Sequence, residues 1–188
     1  MALTKTTQYA NRWGLDFKVY AYPKTDNATE LLNIDFVNEV AVDISSGTVW
    51  ATGGRSHANK IPFNDPMEGT LTVSTQIMTT ELLALIAGKD MSSFSGDEVV
   101  FNNNDANKFY VIEGTTAWKD KDGVVYDEEI VCYKASPEKA YNVTYTGEGD
   151  PNSMDITFNL AEDDDGNIYS TSKAAQSTQS TQSTGNGG

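Results

Sequence analysis

From Gly69 to Gly88, GTLTVSTQIMTTELLALIAG, the spacing of apolar residues changes from a strand repeat to a helix repeat. Leu71, Val73 and Ile77 fall on one face of an extended segment, and Thr70, Thr72, Ser74 and Gln76 on the other. At Thr79 and Thr80 the rule changes. Either hydroxyl can cap a helix, Glu81 suits the positive end of the helix dipole, and Gly88 suits the position just past the last turn. The spacing predicts a helix over 80–87, with Leu82, Leu83, Leu85 and Ile86 as its core side chains. A helix of about two turns does not stand alone in water. Burying four aliphatic side chains at roughly 1.5–3 kcal/mol each gives it a reason to form against a sheet.

Nearly everything else reads as strand. Residues 15–22 alternate up to Pro23, and 30–45 alternate as one bent strand or two. Residues 47–51 make a short strand, and 98–101 another. Residues 108–112 and 115–118 are strand-like, with Gly114 as a bulge or break. DKDG at 120–123 is a hairpin turn leading into 124–126 and 129–133. Tyr141, Val143 and Tyr145 share one face, and Met154, Ile156, Phe158 and Leu160 alternate with Asp155, Thr157 and Asn159. The pattern predicts a mainly β domain over 15–169 with one helix. Residues 1–14 form a polar arm carrying Tyr9 and Trp13. Residues 170–188 form a low-complexity tail with a QST repeat and no large apolar side chain, too poor in burial to offset its ordering entropy.

The segment 52–68 breaks the pattern. It mixes glycines, prolines, both signs of charge and the chain's one histidine, His57, and Trp50, Ile61 and Phe63 punctuate it. It reads as a long irregular loop, which in a compact β domain is usually functional. Large apolar groups on such a loop are an aggregation risk unless a self-association surface covers them.

Composition narrows the chemistry. The 188 residues carry 13 Lys and Arg against 27 Asp and Glu, a formal charge of −14. That surface repels duplex DNA and anionic membranes. The single cysteine, Cys132, excludes an intrachain disulfide and reads as a small buried hydrophobe. The first residues lack the apolar run of a signal peptide, and no segment reaches membrane-spanning length, so synthesis in the cytoplasm is expected.

Candidate catalytic and metal groups fall short. Asp120, Asp122, Gly123 and Glu129 match positions of a calcium loop, but Trp118 stands where the first ligand belongs. Asp163, Asp165 and Gly166 line up similarly, yet Ala161 takes the first position and no Glu closes the loop. Both read as turns. With one His and one Cys, neither a His pair nor a Cys pair can be assembled, and no nucleophile elbow or phosphate loop is visible. Gly53, Gly54 and Arg55 suggest an anion nest without a recognised signature. The reading is a non-enzyme without cofactor or metal. An enzyme with an acidic cleft and a surface carbohydrate-binding or adhesive β-sandwich module stay as alternatives.

In this order the elements resemble the tail tube (major tail) protein of tailed bacteriophages, especially the long non-contractile type. The resemblance rests on the arm with Trp13-Gly14, the strand pair around 53–68, the EGTLTVSTQIMTTELLALIAGKD transition and the Ser/Thr/Gln-rich tail. It implies an antiparallel β-sandwich or half-barrel with one flanking helix. It further implies subunits joined as hexameric rings, which stack into a virion tube whose lumen passes DNA without specific binding. Its implied partners are further copies, a tape measure protein, and tail terminator and tail-tip proteins. In that setting Trp13, Trp50, Arg55, His57, Lys60, Ile61 and Phe63 become candidate contacts between subunits or rings.

Overall fold

The computed structural model describes residues 9–52, 59–102, 105–120, 124–140 and 153–173. The structure is mainly β with one short helix, so the mainly β expectation holds. The strands are β1 (Tyr9–Ala21), β2 (Glu30–Ile34), β3 (Val37–Ser45), β4 (Thr48–Thr52), β5 (Asn59–Asn64) and β6 (Glu68–Thr75). After the helix α1 (Thr80–Ile86) come β7 (Tyr110–Asp120), β8 (Val125–Pro137), β9 (Met154–Leu160) and β10 (Tyr169–Lys173).

Eight strands make one antiparallel sheet in the order β2-β1-β7-β8-β9-β6-β3, with β10 beside β8; β4 and β5 form a separate two-stranded ribbon. β8 is shared along its length. Its first part pairs with β7 and β10, and Ala135, Ser136 and Pro137 pair with β9. The sheet curls enough to bring β1 towards β3, but it does not close. This is the half-barrel of the sequence reading. Its hollow side holds Phe17 and Val19 from β1, Leu71 and Val73 from β6, Ile112 from β7, Cys132 from β8, and Ile156 and Phe158 from β9.

Helix α1 fills the same core. Of the two candidate caps, Thr79 is the one used: its backbone is extended and its Oγ1 accepts the Leu82 N–H at 3.1 Å. At the other end Gly88 N–H donates to the Leu85 carbonyl at 3.0 Å and Lys89 N–H to the Ala84 carbonyl at 2.9 Å. That pair of bonds needs a left-handed residue, and Gly88 supplies it at φ 79°. Leu82, Leu85 and Ile86 are buried as expected; Leu83 is only half-buried, and Ala84 and Ala87 take its place in the core. A repeat of 3.6 residues cannot turn every side of so apolar a helix inward.

Several boundaries differ from the sequence reading. Residues 9–14 of the expected arm belong to β1, where Trp13 pairs with Ala117 between two register shifts, and residues 1–8 lie outside the described residues. The tail does not begin at Ser170, since Ser170–Lys173 continue β10 along β8. Residues 30–45 form two strands, parted at Asp35 and Phe36. Phe36 takes φ 54°, a conformation that costs a non-glycine residue roughly 1–2 kcal/mol. Thr75 fastens this corner. Buried at the end of β6, its hydroxyl donates to the Asp35 carbonyl at 2.7 Å and accepts from Ile77 N–H at 3.2 Å. Strand β6 therefore ends before Ile77, which is 40% exposed and not on the core face.

Part of the segment 52–68 is ordered as strand and not as irregular loop, because Thr48–Thr52 and Asn59–Asn64 pair as an antiparallel ladder; residues 53–58 lie outside the described residues. Residues 98–101 form no strand. Four residues without a neighbouring ladder gain too little to stay extended, and Val100 is 56% exposed. Gly114 neither breaks nor bulges β7, which pairs straight through it with Phe17 and Ile130. The stretch around Tyr141, Val143 and Tyr145 lies outside the described residues.

The β10 ladder leads to a truncation test. Removing 170–188 takes away most of β10, with the Tyr133–Ser170 hydroxyl pair at 3.0 Å and the Thr171–Glu128 bond. Removing 174–188 spares all of these. The longer deletion is expected to lower the thermal midpoint and the shorter to leave it unchanged, as differential scanning calorimetry would read.

Candidate functional site

The side of the sheet away from the core has two zones of different chemistry. The first lies over β3, β6 and β9. Antiparallel register places Glu39 beside Ser74 and Asp155, Ala41 beside Thr72 and Thr157, and Asp43 beside Thr70 and Asn159. These alternate with the inward residues Leu71, Val73, Ile156 and Phe158, so the period of two that builds the core also builds this face. Ser74 donates to Asp155, and the Thr72 and Thr157 hydroxyls lie 3.4 Å apart. At one end Asp43, Ser45, Glu68, Thr70 and Asn159 surround a shallow depression of about 360 Å³. Across β3, β6 and β9 the sequence has no Lys, Arg or His.

The second zone lies over β1, β7 and β8. Loops cover it and leave a groove of about 550 Å³. Val111 and Val131 form its floor, with Tyr22 and Tyr133 beside them and Asp26, Glu113, Asp164 and Asp165 around them. Lys24 pairs with Glu113 and sits 4.0 Å from the Tyr20 ring centre. Lys134 Nζ lies 5.0 Å from the ring centre of Tyr22 and 5.2 Å from that of Phe109. The Tyr22 hydroxyl donates to Asp164 at 3.2 Å. Partial burial, then the nearby Asp164 carboxylate, raise its pKa.

The acidic turn at this groove is held by its own backbone. Asp163 accepts N–H bonds from Asn167 at 2.7 Å and from Asp165 at 3.0 Å, and the Asn167 bond above all holds its carboxyl below the usual range. Its carboxylate works as a turn cap. Among the described residues no group of His, Cys, Asp and Glu is placed to hold a metal ion. The other calcium-like stretch falls at the end of β7, and residues 121–123 lie outside the described residues.

Two buried groups that could titrate belong to the core. The Cys132 thiol is pushed up to about 12 by burial. The Tyr110 phenol is also pushed up to about 12, by burial first and by the Asp90 carboxylate second. Both stay neutral in the fold while the unfolded chain ionises near its ordinary values, 9.0 for the thiol and 10.0 for the phenol. Their contribution is fully present below pH 9 and is lost as pH rises towards 12. Chemical denaturation at stepped pH should therefore show stability falling through this window, by up to about 1.4 kcal/mol per pH unit for each group. Native Cys132 should resist thiol reagents at neutral pH.

The candidate contact residues from the sequence divide between three places. Trp50 lies on β4; Lys60, Ile61 and Phe63 lie on β5, so the ribbon brings four of the seven together. Trp13 lies on β1, in the eight-stranded sheet and not in the ribbon, and Arg55 and His57 lie outside the described residues. Sequence reading missed both the groove and the cation-free face. The groove joins residues from 22 to 165, which no local signal connects. The face had a signal, the absence of cations from three strands, but it acquires meaning only when those strands are neighbours. No protein-family model matches the chain, and comparison with curated proteins finds no significant relative.

Proposed function

We propose that this chain is a structural subunit of a phage-type tail tube, polymerising as stacked rings around a passage for DNA. The observation that carries the reading is an unpaired edge of the sheet, the one at the opposite end from β2. Among the described strands β3 ends the sheet and pairs on one side only, along Val37–Ser45. It carries neither Lys nor Pro, and its guards are the exposed carboxylates of Glu39 and Asp43 and a register shift between Val37 and Glu39. An edge of this kind is a hazard in a monomer and a means of joining in a ring. The charge of −14 suits a conduit that must not hold nucleic acid. Tape measure, terminator and tip proteins would be its partners in a virion, and catalysis has no part in the reading.

One observation favours a second reading, a carbohydrate-binding module: the groove sets two tyrosines beside carboxylates that could accept sugar hydroxyl bonds. Negative-stain microscopy separates the two. Rings or tubes, alone or with tail-tip components, support the tube reading; compact monomers that bind a glycan array support the other. Sedimentation showing monomer alone under every condition, tip components included, would overturn the tube reading.

The ribbon supplies a sharper version of the test. Replacing Gly53–Asp65 by a short Gly/Ser linker removes β5 but none of the strands of the eight-stranded sheet. A folded, soluble protein that no longer makes tubes is the expected result. Normal polymerisation would exclude an assembly role for the ribbon, and failure to fold would mean that its side chains belong to the subunit's own core.

A further inference from the structure

We infer that Phe36 is the apolar anchor of the contact between copies: its ring seats on a second copy joined along β3 and pins the register of that joint. This rests on the tail-tube reading for the use of the β3 edge, and adds which side chain holds the joint. Two independent observations carry it. The first is exposure: Phe36 is 67% exposed, the most exposed of the large apolar side chains among the described residues. The second is conformation. Among the described residues Phe36 is the one non-glycine residue with a positive φ, at 54°. A left-handed phenylalanine is strained, and a ring in water gives nothing back to the isolated subunit. Glycine or asparagine would take the same φ with less strain and leave no ring in solvent.

The fold nevertheless clamps this residue from both sides. Before it, the Asp35 carbonyl accepts the Thr75 hydroxyl at 2.7 Å; after it, Val37 is the ladder partner of Thr75. The Phe36 carbonyl itself accepts the Gln76 N–H at 3.4 Å. Ile77, 40% exposed, is tied to the same corner through its N–H bond to Thr75 Oγ1. Strain persists only where the surroundings impose it, and a side chain whose backbone is already fixed loses less entropy on docking.

Position and charge point to a second copy as the occupant. Phe36 immediately precedes Val37, the first residue of the edge that pairs on one side only. A strand laid along β3 therefore runs up to the ring. Ladder bonds alone do not choose a register, since every backbone offers the same groups; a bulky ring at the head of the strand does. Copies carrying a charge of −14 repel one another, and Glu39 and Asp43 put exposed carboxylates on the edge itself. Charge does not hold such copies together, so apolar anchors must, and aromatic rings are prominent among residues that carry interface energy.

Phe36→Gly, Phe36→Asn and Phe36→Tyr test the assignment. Scanning calorimetry reads the stability of each unassembled subunit. Sedimentation velocity and negative-stain microscopy over a concentration series, with and without tail-tip components, read assembly. The Gly and Asn variants should keep or raise the thermal midpoint, while the concentration needed for assembly rises by about tenfold or more. The Tyr variant keeps the ring and should assemble like wild type. Assembly of the Gly and Asn variants at wild-type concentrations would overturn the inference. A lowered midpoint in both would mean that the ring packs within its own subunit, and would overturn it too. So would failure of the Tyr variant, because the ring would then not be what assembly reads. Wild-type protein that stays monomeric under every condition would instead bring down the tail-tube reading, and this assignment with it.

Discussion

Gly114→Val is expected to be among the most damaging single changes in this protein, although it lies in a regular strand and adds only two methyl groups and a Cβ. The reason is the ring of Phe17. Gly114 is the cross-strand partner of Phe17, and a Cβ built on it would stand 2.6 Å from Cζ and 2.9 Å from Cδ1 of that ring. Real Cβ atoms do not approach so closely, so something must move. Phe17 is fully buried among β1, β7 and the rest of the core, and its ring cannot swing aside without displacing close-packed neighbours. Overpacking of this kind costs about 1–3 kcal/mol, occasionally more, and a branched residue belongs at the upper end. Gly114→Ala should cost less. A cycle with Phe17→Leu should show strong coupling, because the smaller side chain removes the ring that creates the clash. Thermal midpoints of the four proteins check this. Independent, additive effects would mean that the ring does not cover the glycine.

The second large effect is expected at the helix. Leu82→Ala and Ile86→Ala should each cost about 2–5 kcal/mol, which in a domain of this size lowers the midpoint by roughly 5–15 °C. Both side chains are almost wholly buried, at 2% and 1% exposure, against the hollow side of the sheet. Leu83→Ala, on the half-buried flank, should cost distinctly less. The contrast is the informative part. Equal losses at 82, 83 and 86 would mean that the helix is buried all round, and no loss at any of them would mean that it does not pack on the sheet.

The hydrophobic pattern by itself determined the β6-to-α1 passage, the run of β9 and the acidic turn at Asp163. Each rests on a local rule. Alternation fixes a strand's two faces, a hydroxyl at Thr79 and a glycine at Gly88 fix a helix's ends, and a short polar side chain folds back on its own backbone. Mainly β architecture with one helix followed from counting such segments. Tertiary structure alone decided that Tyr9–Gly14 and Ser170–Lys173 are strands, that Thr48–Thr52 pairs with Asn59–Asn64, and that β8 is one strand serving three neighbours. These segments are polar or irregular in pattern because their order comes from backbone ladders, whose N–H and C=O groups are the same in every residue and leave no mark on side-chain type. The cation-free face shows the same division. Its residues are legible one strand at a time, but β3, β6 and β9 become one surface only through hydrogen bonds between segments as far apart as Ala41, Thr72 and Thr157. Pairing over such distances is set by which edges meet when the core closes, and no window of the sequence contains that choice.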